Sequence, residues 1–343
     1  MHMPSLVTLL LAFVMAAIVS AAVLFGLLKS GWSGRLLDLP VRANAMHSAP
    51  VPRIGGLAMA CAIAACVLVF AFANPLQCLL LSIAAALAAV SYLDDRRGLP
   101  VWVRFPLHML AAVVAVYALV ADAKTSGGAS WLQAAVAMPL LVVAVTWTTN
   151  LFNFMDGSDG MAGGMALFGF AAMGLTAADI GAIDVAVTCF AISGAALGFL
   201  CFNFPPSRVF LGDAGSIPLG FLAGTLGIYG MSMGLWDWWF PLLVFSPFVV
   251  DATVTLLLRV GRRERIWQAH RSHYYQRLIL AGWSHRKTAL ASYTLMVGAA
   301  ASASLAMRLQ AQTAILAGWM VLYALLLPVL ERRLRPDNKD NTK

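Results

Sequence analysis

Six carboxylates lie in or beside apolar stretches of this 343-residue chain. Asp94 and Asp95 are adjacent. Asn150, Asn153, Asp156 and Asp159 recur every third residue, Asp213 stands alone in a short polar stretch, and Asp251 sits inside an apolar run. A carboxylate at membrane depth costs about 2.5–3.5 kcal/mol on insertion scales, so acids kept there mark binding or catalysis. Oxygen ligands of this kind suit a hard divalent cation and, with it, a phosphorylated substrate.

Each motif has a structural reading beside the chemical one. Asp94-Asp95-Arg96-Arg97 could be a solvated helix end whose acids pair with the arginines. It could equally be a metal–phosphate site, or a base beside a metal, because neighbours on a helix point about 100° apart. In Asn150–Gly164 two amides and two carboxylates wind round a helix end, while Gly157, Gly160, Gly163 and Gly164 let backbone approach a ligand. One capping turn would use one Asp, not four such side chains. Asp213, in Phe210-Leu211-Gly212-Asp213-Ala214-Gly215-Ser216, reads equally as a helix cap or a metal ligand. The longest basic stretch, 259–287, interleaves Arg265, His270, Arg271, His273 and Arg277 with aromatic residues. It suits lipid headgroups, or a clamp on a diphosphate. Pro52-Arg53-Ile54-Gly55-Gly56 offers Arg53 to phosphate, and Asp251 reads as a structural contact between helices below the site.

These residues must be positioned by membrane helices. The chain is 61% hydrophobic and 11% charged, with a mean hydropathy of +0.82. A span needs about 20 apolar residues. The sequence predicts an all-α polytopic integral membrane protein with about eleven spans: 5–27, 55–73, 76–93, 105–121, 131–149, 161–177, 185–204, 216–235, 239–258, 288–307 and 313–330. The apolar runs are continuous rather than alternating, which excludes a β-barrel. The first run is too long for a signal-peptide core and reads as a retained span. Neither a linker nor a repeat divides the chain, so 1–343 forms a single domain. Five cysteines lie in apolar runs with no Cys-x-x-Cys pair and read as core residues.

With eleven spans, 21 of the 23 lysines and arginines fall on one side, leaving Lys124 and Arg308 opposite. The positive-inside rule then sets the N-terminus outside, in the periplasm, and the C-terminus with all five motifs in the cytoplasm. Most of the +8 net charge serves topology and contact with anionic membrane lipids. No soluble domain exists to carry nucleic-acid binding.

Taken in order, PRIGG at 52–56, DD at 94–95, NLFNFMDGSDGMAGG at 150–164, FLGDAGS at 210–216 and the histidine-bearing loop resemble the polyprenyl-phosphate N-acetylhexosamine-1-phosphate transferases, the WecA- and MraY-like enzymes. The resemblance covers 50–287. It implies a Mg²⁺-dependent enzyme, with Mn²⁺ as a substitute, in a bacterial inner membrane. It also implies transfer of HexNAc-1-phosphate from a cytosolic UDP-N-acetylhexosamine to undecaprenyl phosphate, releasing UMP.

By position the resemblance assigns catalysis to Asp94, Asp95, Asp156, Asp159 and His273, and metal binding to Asp213 with Asp159. It assigns nucleotide binding to Asn150 and Asn153, while Arg53, Arg104, Arg265, His270, Arg271 and Arg277 read from their own chemistry as side chains that hold substrate phosphate. A homodimer is among the partners it suggests. The chain departs at His273-Tyr274-Tyr275-Gln276, where the family pattern has further histidines. That form resembles the O-antigen-initiating, WbpL-like branch. The muramoyl-pentapeptide transferases are the alternative. A cation-coupled transporter would carry its acids at mid-membrane in broken helices, and the CDP-alcohol phosphotransferase pattern is absent.

Overall fold

The computed structural model describes residues 3–31, 34, 37–38, 50–70, 74–125, 137–265, 268 and 270–334. The start of the fifth expected span (131–136), the end of the second (71–73), and Ile266, Trp267 and Ala269 of the basic loop lie outside the described residues. The fold is all-α apart from one small ribbon. Its helices are α1 (Met3–Lys29), α2 (Gly55–Phe70), α3 (Pro75–Arg97), α4 (Val101–Thr125), α5 (Ala137–Phe154), α6 (Met161–Asp179) and α7 (Ile183–Asn203). They continue as α8 (Asp213–Ser232), α9 (Trp239–Val244), α10 (Ser246–Gly261), α11 (Tyr274–Leu280), α12 (His285–Leu309) and α13 (Gln312–Arg333).

Nine of the described helices are long and apolar enough to cross a membrane, against eleven expected spans. Two expectations account for the difference. α2 has 16 described residues. The stretch 239–258 is not one helix: it breaks at Phe245 into α9 and α10. Pro247, near the start of α10, has no N–H to continue the hydrogen-bond ladder and disfavours helical backbone before it. Phe245 fills the break, edge-on to Phe152 and Phe170 with ring centroids 5.7 Å from each.

Helix ends also differ from the expectation, and the shifts matter. α5 runs on to Phe154, which lifts Asn150 and Asn153 out of the loop onto its last turns. α8 begins at Asp213 rather than 216, with Gly212 as N-cap and no side-chain capping bond. Asp213 is therefore not the cap; its carboxylate is left for other partners. α3 stops where it does because Gly98, at φ 68°, turns left-handed and returns its N–H to the Asp94 carbonyl over 2.7 Å. That stop keeps Asp94 and Asp95 in the final turn.

α6, α7 and α8 form the enclosed centre, while α13 has no buried residue. Close approach is bought with glycine. A methyl group at Gly194 or Gly198 of α7 would strike the carbonyls of Phe13 and Ala17 on α1. A methyl at Gly220 of α8 would strike the Thr148 carbonyl on α5. Without an apolar driving force in lipid, such backbone contact is what holds helices together. It also fixes Asn150 and Asn153 on α5 relative to Asp213 on α8.

At the motif-bearing end, β1 (Leu37–Asp38) pairs antiparallel with β2 (Val51–Pro52). The Phe210 N–H donates to the Pro52 carbonyl (2.8 Å), and the Gly55 and Gly56 N–H groups donate to Phe210 and Leu211 (both 2.9 Å). The two glycine-rich motifs, 154 residues apart in sequence between Gly56 and Phe210, thus become one ladder.

Candidate active site

The ladder carries Arg53 to the end of α3. Its guanidinium forks between Asp38 (2.8 Å) and Asp95 (2.7 Å). Asp95 also accepts from the Ala214 N–H at the start of α8 (3.5 Å). Gly212, at φ 73°, lies against it, and a Cβ there would come within 2.9 Å of Asp95 Oδ2. Burial pulls the Arg53 proton affinity down, but the charges of Asp95 and Asp38 more than offset it and hold the guanidinium charged.

Arg104, one turn into α4, closes the other side. Its single Nη1 donates to Asp94 (2.7 Å) and to Asp213 (3.1 Å). The two carboxylate oxygens therefore lie within about 6 Å of each other. Asp156, in the turn after α5, feels the charges of Asp213, Arg53, Asp95 and Asp38. Burial first, and the Asp213 charge second, push its carboxyl well above the usual carboxylate range. Five aspartates thus face two arginines, Arg53 and Arg104. The excess is negative and all its donors are oxygens, which fits a hard divalent cation. Among the described residues no three His, Cys, Asp or Glu side chains form a closed metal cage. Mg²⁺ needs none, since it keeps several waters and takes only one or two carboxylates.

Asn150 donates to the Thr146 carbonyl (2.7 Å), and its side chain lies near His108 of α4. Asn153 accepts from Ser216 of α8 (3.5 Å). Both amides thus belong to the same end as the acids.

Asp159 is turned elsewhere. It accepts from the Ser207 N–H (3.1 Å) and hydroxyl (2.9 Å), and His285 lies 3.9 Å away. These contacts tie the 155–160 turn to the loop before α8. Asp159 and Asp213, the two residues paired as metal ligands from sequence, are held by different partners, Asp159 by Ser207 and Asp213 by Arg104.

The basic loop forms a second group around α11. Asp251, on α10, accepts from His273 Nδ1 (3.3 Å), from the Tyr274 and Tyr275 N–H groups (3.0 and 3.2 Å) and from the Thr255 hydroxyl (3.2 Å). It pins the first turn of α11. His273 is only 2% exposed, and its ring stacks between Phe154 and Tyr275. The His273 N–H donates to Gln276 Oε1 (3.3 Å). The Tyr275 hydroxyl donates to the Phe154 carbonyl (3.0 Å) and accepts from the Gly157 N–H (3.1 Å). Tyr275 and Gln276, which stand where the family pattern has histidines, thus serve here to seat α11.

His270 packs 4.9 Å from the His273 ring, and burial, then His273 and Arg259, lower its pKa to about 4. Arg277 forks onto Glu331 of α13 (2.6 and 3.2 Å). Arg265 is exposed, and its carbonyl accepts from Arg259 (3.0 Å). Arg271 is half-buried, its Nε without a partner among the described residues. Among the described residues, Arg277 pairs with Glu331 and the Arg265 carbonyl with Arg259, so this second group is held by its own contacts. The segment 150–157 joins the two, through Asp156 on one side and Phe154 and Gly157 on the other.

The sequence reading passed over Asp38 and His108. For His108 a signal existed: it follows Arg104 by four residues, one helical turn, within an apolar run. Nothing comparable marked Asp38, whose partner Arg53 is recruited by strand pairing.

The glycosyl transferase family 4 description matches residues 76–231. The chain is 30% identical over 334 residues to the decaprenyl-phosphate N-acetylglucosaminephosphotransferase of Mycolicibacterium smegmatis, covering 85% of this chain and 81% of that one. It is 27% identical over 260 residues to a Bacillus subtilis protein described as a probable undecaprenyl-phosphate N-acetylglucosaminyl 1-phosphate transferase (73% and 72%). It is also 30% identical over 260 residues to the phospho-N-acetylmuramoyl-pentapeptide-transferase of Heliobacterium modesticaldum (69% and 77%).

Proposed function

The chain belongs to the polyprenyl-phosphate N-acetylhexosamine-1-phosphate transferase family, and from that membership we propose that it transfers HexNAc-1-phosphate from a UDP-sugar to undecaprenyl phosphate. The products are undecaprenyl-diphosphate-HexNAc and UMP. The observation that carries this reading is the Arg104 bridge between Asp94 and Asp213 at one end of the bundle. It gathers carboxylates and a phosphate-binding cation where a lipid headgroup and a soluble nucleotide can meet.

In this mechanism an oxygen of the lipid phosphate attacks the sugar-bearing phosphorus of the donor. The bond to the UMP phosphate breaks, and UMP leaves with the electron pair. Asp94 takes the acceptor's proton or orients its phosphate. Arg104 and Arg53 hold phosphate oxygens, and Asn150 and Asn153 line the donor side. Asp251, His273 and Tyr275 keep α11 seated beside the 150–157 segment, and Arg271 and His270 would bind the donor's diphosphate. Asp213 would hold Mg²⁺ or Mn²⁺. When bound, the metal would neutralise the diphosphate and the leaving UMP.

The charge bias supports a bacterial inner-membrane location with this end in the cytoplasm. The Tyr275–Gln276 departure favours a GlcNAc-type or 6-deoxy donor and a role in initiating O-antigen or related polysaccharides. The test uses purified protein in detergent, labelled undecaprenyl phosphate and a panel of UDP-sugars with Mg²⁺. Formation of a lipid diphosphate from UDP-GlcNAc or a 6-deoxy relative is expected. Strong preference for UDP-MurNAc-pentapeptide would move the chain to the peptidoglycan branch, and no transfer from any UDP-HexNAc would overturn the reading.

A further inference from the structure

Arg277, which reads from sequence as a phosphate-binding side chain, is engaged elsewhere. Its guanidinium forks onto Glu331 of α13, Nη1 to Oε1 at 2.6 Å and Nη2 to Oε2 at 3.2 Å. Nη2 also donates to the carbonyl of Leu334, the C-cap of α13 (3.4 Å). The guanidinium lies over the Tyr274 ring, 5.3 Å from its centroid. The two side chains are 21% and 25% exposed. A two-pronged, partly desolvated contact of this kind is stronger and more directional than an ordinary surface ion pair.

Both helices depend on such a contact. α11 has seven residues, and helices shorter than about 12 residues do not hold themselves. α13 has no buried residue, and in lipid apolar surface alone does not draw helices together. Side-chain bonds join α13 to the bundle instead. Trp319 donates to Ser302 of α12 (2.8 Å), the Tyr323 hydroxyl pairs with Ser246 of α10 (2.8 Å), and Glu331 takes Arg277 of α11. α11 is thereby held from two sides: Asp251 accepts from its first N–H groups, and Glu331 takes its arginine.

α11 in turn carries two parts of the site. Tyr275 brackets the turn that holds Asp156, through the Phe154 carbonyl and the Gly157 N–H. His270 and Arg271 stand just ahead of its N-cap, His273. Resting on the transferase reading above, we propose that Glu331 is a positioning residue for the nucleotide-sugar side of the reaction. Through Arg277 it holds α11 in place, and through α11 the Asp156 turn and the His270–Arg271 pair. Arg277 itself touches no substrate.

The test is steady-state kinetics of purified full-length protein in mixed micelles, varying UDP-GlcNAc and undecaprenyl phosphate in turn. Hydrogen exchange is followed on the same samples without substrate. Glu331→Gln should raise the donor KM about tenfold, well inside the roughly hundredfold that a 1 Å misplacement can cost. The acceptor KM should stay within about twofold. Loss of folded protein would lower kcat and leave both KM values alone, so the donor KM is the informative reading. Arg277→Gln should match Glu331→Gln, and the double variant should be no worse than either, because the two side chains act as one unit. Exchange over 274–280 should quicken in all three. Should Glu331→Gln not fold, Glu331→Asp replaces it: its shorter carboxylate should give a donor KM between wild type and about tenfold.

A wild-type donor KM in the Glu331 variant, unchanged exchange over 274–280, or both KM values rising in parallel would overturn the proposal. So would an Arg277→Gln defect larger than that of Glu331→Gln with an additive double variant, since Arg277 would then touch substrate itself. These results leave an active wild type, so they strike Glu331 alone. A wild type inactive with every UDP-HexNAc would instead remove the transferase reading and this proposal with it.

Discussion

Asp94 and Asp213, from different helices and 119 residues apart in sequence, accept from the same nitrogen of Arg104. Two like charges held this closely are stable only while the cation sits between them, or while another cation takes its place. The pair is therefore the most sensitive point of the site.

Asp94→Asn should lower kcat by about 10²–10⁴, the usual worth of a general base, with UDP-sugar affinity retained. Asp213→Asn should abolish transfer and the response to Mg²⁺ while leaving a folded, monodisperse protein. The check is kcat and donor binding, measured separately for each variant. Near-wild-type turnover with normal Mg²⁺ dependence in Asp213→Asn would show that Asp213 holds no metal.

Arg53 is tied to two buried carboxylates, Asp38 and Asp95. Arg53→Ala takes the shared cation away from both carboxylates, and breaking a buried pair typically costs about 3–5 kcal/mol. A large fall in the thermal midpoint is expected. Arg53→Lys should fall in between, because a single ammonium cannot fork as a guanidinium does. An unchanged midpoint in Arg53→Ala would mean that water reaches these carboxylates.

Tyr275→Phe removes one donor to the Phe154 carbonyl and one acceptor for the Gly157 N–H. Loss of about 1–3 kcal/mol is expected. Asp251→Ala frees the first turn of α11 altogether. Hydrogen exchange should accelerate over 274–280 in both variants, more in Asp251→Ala. Unchanged exchange there would separate α11 from its two anchors.

His270 titrates at about 4 in the folded chain, against an ordinary 6.5. Its folded pKa is depressed, so its neutral form is the folded one. Between pH 6.5 and 4 the unfolded chain binds a proton that the native one refuses, and stability falls as pH falls. His270→Gln should flatten that part of the stability–pH curve. An NMR titration showing the His270 ring charged at pH 6 would contradict it.

Orientation is open to labelling. On a background without Cys61, Cys66, Cys78, Cys189 and Cys201, a cysteine at Ile180, exposed in the turn after α6, should react with an impermeant thiol reagent in intact cells. One at Leu280, exposed at the end of α11, should not. The reverse pattern would turn the protein over and separate the site from cytosolic nucleotide.

The sequence by itself determined the all-α membrane class, the order of the polar motifs and the family, because continuous apolar runs and the spacing of Asp, Asn and Gly are local properties. Helix ends were legible only to within a turn, since apolar composition says where a helix can run, whereas Gly98, Gly212 and Pro247 decide where each one stops or starts. What only the tertiary structure decided was the division of the polar residues into two groups. Asp159 and His273 look as reactive in sequence as Asp94. Folding gives Asp159 to Ser207 and His273 to Asp251, because buried polar groups must be paired and the nearest partners lie 22 to 48 residues away. Asp38 and His108 entered the site for the converse reason: strand pairing and one helical turn set them beside residues that sequence had already marked.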